Sequence, residues 1–371
     1  MKNKCYIKNV AIFLIFITVI TISDYKISDA MAGTQEAVNQ IVDLYKNNSP
    51  EFLKIKNEQE LNYSNYLEYK ENLAYYQEQI NNSRGNTSAI ENLKKAYDEC
   101  LLNVDTYEFY QNNLDKITEE NQKKDIYNFL TEYLKCPIFQ ANIEYEKSII
   151  KELKEELNII KTKYRKGYAV SVDVKQAKTK LASEEAKLKE IQGQKDILKM
   201  NICSELGLTQ LNDFSLSQVN VIKNETDYQK EYESSMTLLF LEEQQKAYTI
   251  YKDNISKDVT ETQIYVDKAD ENLKLLEAKK TILKNSNLQT ISKLKNTYNI
   301  IGIQLASKED ELKNIAQKIK SNAVLYRKGK INKIELMKLD VEEKKLEYEK
   351  VELLYQQNIT FYALEYNILE G

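Results

Sequence analysis

The chain has no histidine, and in 371 residues it has only two prolines and eight glycines. Each shortage excludes something. Without histidine there is no imidazole for acid–base catalysis and no His-based metal site. Sheet proteins need more Gly and Pro for their turns than this, whereas long helices need few. No GxGxxG, GxxxxGK[ST] or GxSxG pattern occurs, so neither a phosphate cradle nor a nucleophile elbow is available. Four cysteines are present, none in CxxC spacing. Cys5 sits at the extreme N-terminus, leaving an odd set of Cys100, Cys136 and Cys203. Two of these could pair in an exported chain, in an order the spacing does not fix; otherwise all three serve as small buried apolar residues.

What is present is helix-forming. Lys, Glu, Leu, Ala and Gln are abundant, 42% of residues are hydrophobic, and 30% are charged in mixed sign. Carboxylates alternating with lysines read as solvated helix faces. A net charge of −4 argues against a nucleic-acid surface. The 27 tyrosines, with many Asn, Lys and Ile, fit an AT-rich coding sequence. No enzyme, cofactor or metal is expected.

The first 32 residues read as a secretory signal. Lys2, Lys4 and Lys8 precede an apolar run from Val10 to Ile22, and Ala30-Met31-Ala32 offers a cleavage site before Gly33. The run is short for a membrane span, which needs about 20 residues; an uncleaved anchor is the alternative. The only other apolar patch of note, Leu238 to Leu241, is too short to span. Export to the cell envelope is the expected localisation.

The strongest pattern is a duplication. The tetrapeptide Tyr164-Arg165-Lys166-Gly167 returns as Tyr326-Arg327-Lys328-Gly329, and an acid, Asp173 or Glu335, follows six residues past each glycine. Upstream of the second copy, Tyr298, Leu305, Leu312, Ile319 and Tyr326 keep a strict seven-residue spacing. Upstream of the first, Cys136, Ile143, Ile150, Leu157 and Tyr164 occupy the same register. Such a period implies helices packed in a left-handed supercoil, and the repeat comes before any fold name. Past the turns the match weakens, with Leu181 and Leu188 facing Glu343 and Lys350. Both glycines suit a tight helix reversal, where φ must be positive.

In chain order, we expect a first helical repeat over 33–207, a polar linker over 208–229 and a second repeat over 230–371. A polar helix from about Thr34 to Gln79 is broken by Pro50. A loop follows at Asn81 to Asn86, and Ser88 is positioned to cap the next helix. The arms of the first hairpin are expected from about Ile138 to Lys166 and from Ser171 to Leu206. Asn332 with Glu335 resembles a capping box. Val259 to Val266 hints weakly at a strand. The heptads exceed what one hairpin can bury, so a homo-oligomer is expected.

These motifs resemble the TolC-type outer-membrane efflux proteins. That family has two repeats, each with a Tyr/Arg-x-x-x-Gly turn, an Asp-Val pair about six residues on, and a Leu/Ala-patterned helix ending in Leu-Gly. The first repeat supplies Tyr164, Gly167, Asp173-Val174, Ala177, Leu181, Leu188 and Leu206-Gly207. The second supplies Tyr326, Gly329, Glu335-Leu336, Leu346, Leu353 and Glu370-Gly371. The resemblance implies an all-α protomer of two long helical hairpins that builds an α-barrel as a homotrimer. It further implies docking of a periplasmic-type adaptor, with an inner pump or ABC exporter behind it, through Tyr164, Gly167, Asp173, Tyr326, Gly329 and Glu335. Asp173 and Glu335 would then lie near an acidic constriction, although the family's further acid is Lys338 here. A second departure is larger. The windows 118–135 and 257–280, where the family inserts its β-barrel strands, read as helix or polar connection. The chain is thus expected to be a relative without the barrel strands; a coiled-coil scaffold or adaptor without a lumen is the alternative.

Overall fold

A computed structural model describes residues 35–83, 87–219, 225–256 and 263–368. The expected signal segment, the loop residues 84–86, the stretch 259–262 and Glu370-Gly371 lie outside these. Among the described residues there are ten helices and no strand. They are α1 (Gln35–Asn48), α2 (Pro50–Asn82), α3 (Thr87–Asn112), α4 (Leu114–Tyr133), α5 (Cys136–Arg165), α6 (Ser171–Leu206), α7 (Glu225–Glu233), α8 (Met236–Ile255), α9 (Gln263–Arg327) and α10 (Lys333–Glu365).

Local chemistry sets most boundaries. Ser49 Oγ accepts from the Phe52 N–H at 3.3 Å, and Pro50 takes the first-turn position where its missing N–H costs nothing. Helix α3 begins at Thr87, so Ser88 lies inside the first turn and is not the cap expected. The weak strand hint fails where it can be followed, because residues 263–266 open α9. Residues 114–133 and 263–280 are likewise helical, so the described parts of both strand windows carry no strand.

The helices form two rows, each one layer thick. The lower row runs α6, α5, α10, α9, and the upper row runs α2, α3, α8, α9. Helix α9, with 65 residues, belongs to both; at 1.5 Å per residue it is roughly 98 Å long. At the waist α4 packs between the rows, while α1 touches α6, α2 and α4. No helix among the described residues is long and apolar enough to cross a membrane.

The heptad residues bury within the single chain. Cys136, Ile143, Ile150 and Leu157 are buried where α5 packs on α6 and α10, and Tyr298 and Leu305 where α9 meets α10. Leu312 and Ile319 are half-buried, and both series surface only at Tyr164 and Tyr326. These heptads therefore do not require a partner, contrary to the expectation drawn from them. The loss of match at Glu343 and Lys350 also has a cause. In α10 these positions lie among ion pairs, with Lys350 reaching Glu309 at 2.9 Å. Glu146, 1% exposed, stands buried inside the lower row and is paired with Lys187 at 2.6 Å.

The core gathers at the waist. Tyr45 stacks on Phe129 at 4.1 Å and donates to Asp125 at 2.8 Å. Asn48 Nδ2 donates to the Leu206 carbonyl at 2.9 Å, sealing the end of α6, and Gly207 follows in the left-handed region at φ 65°. The expected polar linker ends earlier than 229, because residues 225–229 already belong to α7, and its first part is a structural component. Residues 208–219 run without helix and bury Leu211, Phe214, Leu216 and Val219 in this core. Tyr133 stacks on Phe214 at 4.5 Å, the Tyr298 hydroxyl donates to the Val219 carbonyl, and Asn358 Nδ2 donates to the Ser217 carbonyl at 3.0 Å. Asp213 fixes the other side by accepting from Lys195 at 2.7 Å and Lys199 at 2.5 Å. All three cysteines are free thiols. Burial pushes the Cys136 thiol up to about 12.

Two measurements follow. Burial raises the Asp213 carboxyl, but its bonds from Lys195 and Lys199 outweigh this and hold it below the ordinary range. Its contribution is present above the unfolded value near ~3.9 and is lost as pH falls through the lower folded value. Asp213→Asn leaves the buried Lys195 ammonium without its counter-ion and should cost about 1–3 kcal/mol in urea titrations at pH 7. The gap between variant and parent should narrow below roughly pH 4. In native protein at pH 8, Cys203 should react with Ellman's reagent well before Cys136; equal rates would contradict this packing.

Candidate functional site: the hairpin tips and the row edges

Both tips are built the same way. Tyr168 N–H reaches back to the Lys163 carbonyl at 2.9 Å, and Lys330 N–H reaches the Leu325 carbonyl at 2.9 Å. These are the six-to-one bonds of a Schellman ending, which requires a left-handed residue at the preceding position. Gly167 at φ 79° and Gly329 at φ 68° supply it. Neither glycine has a neighbour within 4 Å of a would-be Cβ, so dihedral strain alone excludes other residues there.

The acids do local work first. Asp173 accepts from the Val170 N–H at 3.1 Å; Val170 has no side-chain acceptor to return the bond, so this is half of a capping box. Asn332 Oδ1 accepts from the Glu335 N–H at 2.9 Å, while Asn332 Nδ2 donates to Glu335 Oε1 at 2.7 Å. Each carboxylate also suits the positive end of its helix. Lys338, standing where the family has an acid, is exposed on α10.

The tips are not level, although the duplication suggests that they should be. Lys333, the first residue of α10, pairs with Glu155 at 3.1 Å, well before α5 ends at Arg165. The first tip therefore projects about two turns beyond the second. It also carries the apolar surface, with Tyr168 80% exposed and Tyr164, Val170 and Val172 exposed beside it. The second tip shows Val324 and Tyr326. Tyr168, Val170 and Val172 are absent from the motif reading, because exposure at a turn leaves no periodic signal.

A second feature lies along the edges of the lower row. Helices α6 and α9 are its outer members, and each shows apolar side chains away from its neighbour. On α6 these are Ile197 and Met200; on α9 they are Ile300 and Ile303. The pairings Lys187–Glu146, Tyr145–Tyr348 and Lys350–Glu309 link levels from α6 through α5 and α10 to α9. Following them sets Ile197 and Met200, the latter 65% exposed, level with Ile300 and Ile303, the latter 72% exposed, on the opposite edge. Among the described residues no cluster of His, Cys, Asp and Glu could hold a metal.

Comparison with solved structures places this architecture. A crystal structure of CusC matches with a TM-score of 0.61 at 10% identity, over 94% of this chain and 96% of that one. A membrane protein from Pseudomonas aeruginosa matches at 0.62 and 10% identity, over 89% and 92%. The open state of the Neisseria gonorrhoeae MtrE outer membrane channel matches at 0.56 and 8% identity, over 90% and 89%. Neither a scan against protein-family models nor a search of curated proteins finds a match. At these identities the likeness is one of fold: the chain has the fold of TolC-type outer-membrane channels, with helices throughout its described residues.

The tips give a direct test. Gly167→Val or Gly329→Val should cost about 1–3 kcal/mol, since a β-branched residue is strained at positive φ. Far-UV helicity should be retained. Gly302→Val, in the interior of α9 with open space around it, should be neutral or slightly stabilising. Chemical denaturation of the three variants would check this ordering.

Proposed function

We propose that the chain is an exported component of an envelope efflux or secretion conduit, working by assembly into a helical tube and not by catalysis. Three copies would form the wall, with the α6 edge of one lower row against the α9 edge of the next. The observation that carries this reading is the pair of apolar edges at one level, Ile197 and Met200 facing Ile300 and Ile303. A one-layer row cannot cover such edges from within the chain, and their burial by a neighbour is favourable at about 25 cal/mol per Å². The fold shared with outer-membrane channels supports a conduit over a scaffold without a lumen.

In the same reading the tips receive an adaptor, with an inner pump or ABC exporter behind it. The projecting first tip, with Tyr164, Gly167 and Asp173, makes the leading contact, and Tyr326, Gly329 and Glu335 a second one further back. Exposed tyrosine and valine at a rigid turn suit a hydrophobic hot spot. Asp173 and Glu335 shape the tips through their caps, so docking, and not an acidic gate, is the role assigned to them.

Light scattering on the mature chain should give a trimer at micromolar concentration, and images should show a hollow particle. A folded, fully helical monomer would rule the ring out. Replacing Met200 and Ile303 together by Glu should shift the trimer toward monomer by at least tenfold in dissociation constant. Tyr168→Asp should leave assembly intact and weaken capture of the adaptor by about tenfold or more, on the scale of a hot-spot loss.

A further inference from the structure

We infer that the upper row is closed by a second copy of the chain, α2 of one copy against the N-terminal half of α9 of the next, so that helices seal the distal end. This rests on the ring reading above and extends it to a different pair of helices. Upper-row packing runs from α2 through α3 and α8 to α9. Its two outer helices each present one face to a neighbour and the opposite face to solvent.

Those opposite faces match. On α2, Tyr66, Tyr69, Leu73 and Tyr76 turn toward α3, buried or half-buried. The far side of the helix carries Leu67, Glu71, Tyr75 and Glu78, all exposed. On α9, Ala269, Leu276 and Asn287 are buried. The opposite side shows Ile264, Lys268, Glu271, Leu275, Ala278 and Ile282, all exposed. Spacings of four and three along this second set make it a seam of the coiled-coil kind, and among the described residues no helix packs upon it.

Levels agree as well. Cys100 Sγ donates to the Tyr69 carbonyl at 3.2 Å, Phe109 meets Phe240 at 5.7 Å, and Gln245 donates to Glu277 at 2.6 Å. Following these pairings across the row sets Leu67 level with Leu275. The helices meet antiparallel, as their neighbours do. The charges on the α2 side are the carboxylates Glu68, Glu71 and Glu78, and lysines 268, 274 and 279 flank the α9 seam. Glu71 comes level with Glu271, with Lys268 and Lys274 about one turn to either side to offset both.

The far edges of the two rows also lie on one side of the molecule. Helix α1 touches both α2 and α6, and α9 is the common edge opposite. A neighbour whose α9 lies along α6 below would therefore bring its upper half along α2 above. The occupant is thus a copy of this chain, and the contact continues the proposed lower interface.

The test is paired cross-linking in the full-length protein, with the native cysteines replaced by Ala. Leu67→Cys with Leu275→Cys reports the upper contact, and Met200→Cys with Ile303→Cys reports the lower. Within one chain each pair is separated by two intervening helices at 8–10 Å spacing, so an internal disulfide, limited to about 7 Å between Cα atoms, cannot form. Copper-phenanthroline oxidation should give dimer and trimer bands for both pairs and none for the four single variants. Bands from the lower pair alone would overturn the upper closure and leave the ring reading standing. Bands from neither pair would overturn both. Bands from a lone Leu67→Cys or Leu275→Cys chain would show random collision and likewise sink the upper contact.

Discussion

A layer of helices only one helix thick has two faces and two edges, and the edges cannot be buried by the chain that makes them. Most features of this molecule follow from that constraint. Inside each row, antiparallel neighbours cover each other's apolar stripes, as Ile143, Ile150 and Leu157 of α5 show. At the outer members the stripes find no neighbour. Among the described residues Ile197, Met200, Ile303, Leu275 and Ile282 stay exposed.

The waist is where the single layer thickens. Helices α1 and α4 and the segment 208–219 stack against the rows and supply fully buried side chains that include Tyr133, Leu130 and Ile41. Aromatic stacking and a small set of directed bonds fix the non-helical segment there. Tyr298 and Asn358 hold its carbonyls, while Lys195 and Lys199 hold Asp213. Because these residues come from four different parts of the chain, the waist is what makes two hairpins one body. The tips, by contrast, are built from local chemistry alone: a left-handed glycine, a back-reaching N–H and an acid at the next helix start.

The helical nature of the chain, its duplication and its two turns were legible before any coordinates. Few glycines and prolines, a seven-residue apolar period and a repeated turn are all local signals, and helices and their endings are set by neighbours within a few residues. Gly167 and Gly329 adopt the conformation their position requires, and the arms of the first hairpin begin and end within two residues of expectation. The likeness to TolC-type channels was readable for the same reason, since its marks cluster at the turns.

Tertiary structure decided the rest. The 208–219 stretch looked polar because its apolar residues follow no helical or strand period, yet Leu211, Phe214, Leu216 and Val219 are buried by helices distant in sequence. The named heptads suggested a partner, but the chain supplies that partner itself, and the residues left exposed are on other faces of α6 and α9. The two tips differ in reach because α10 starts against the middle of α5, a register that an exact repeat spacing conceals. Periodicity tells which face of a helix is apolar. Only the packing of every neighbour tells which apolar faces remain uncovered, and at which level of the molecule they stand.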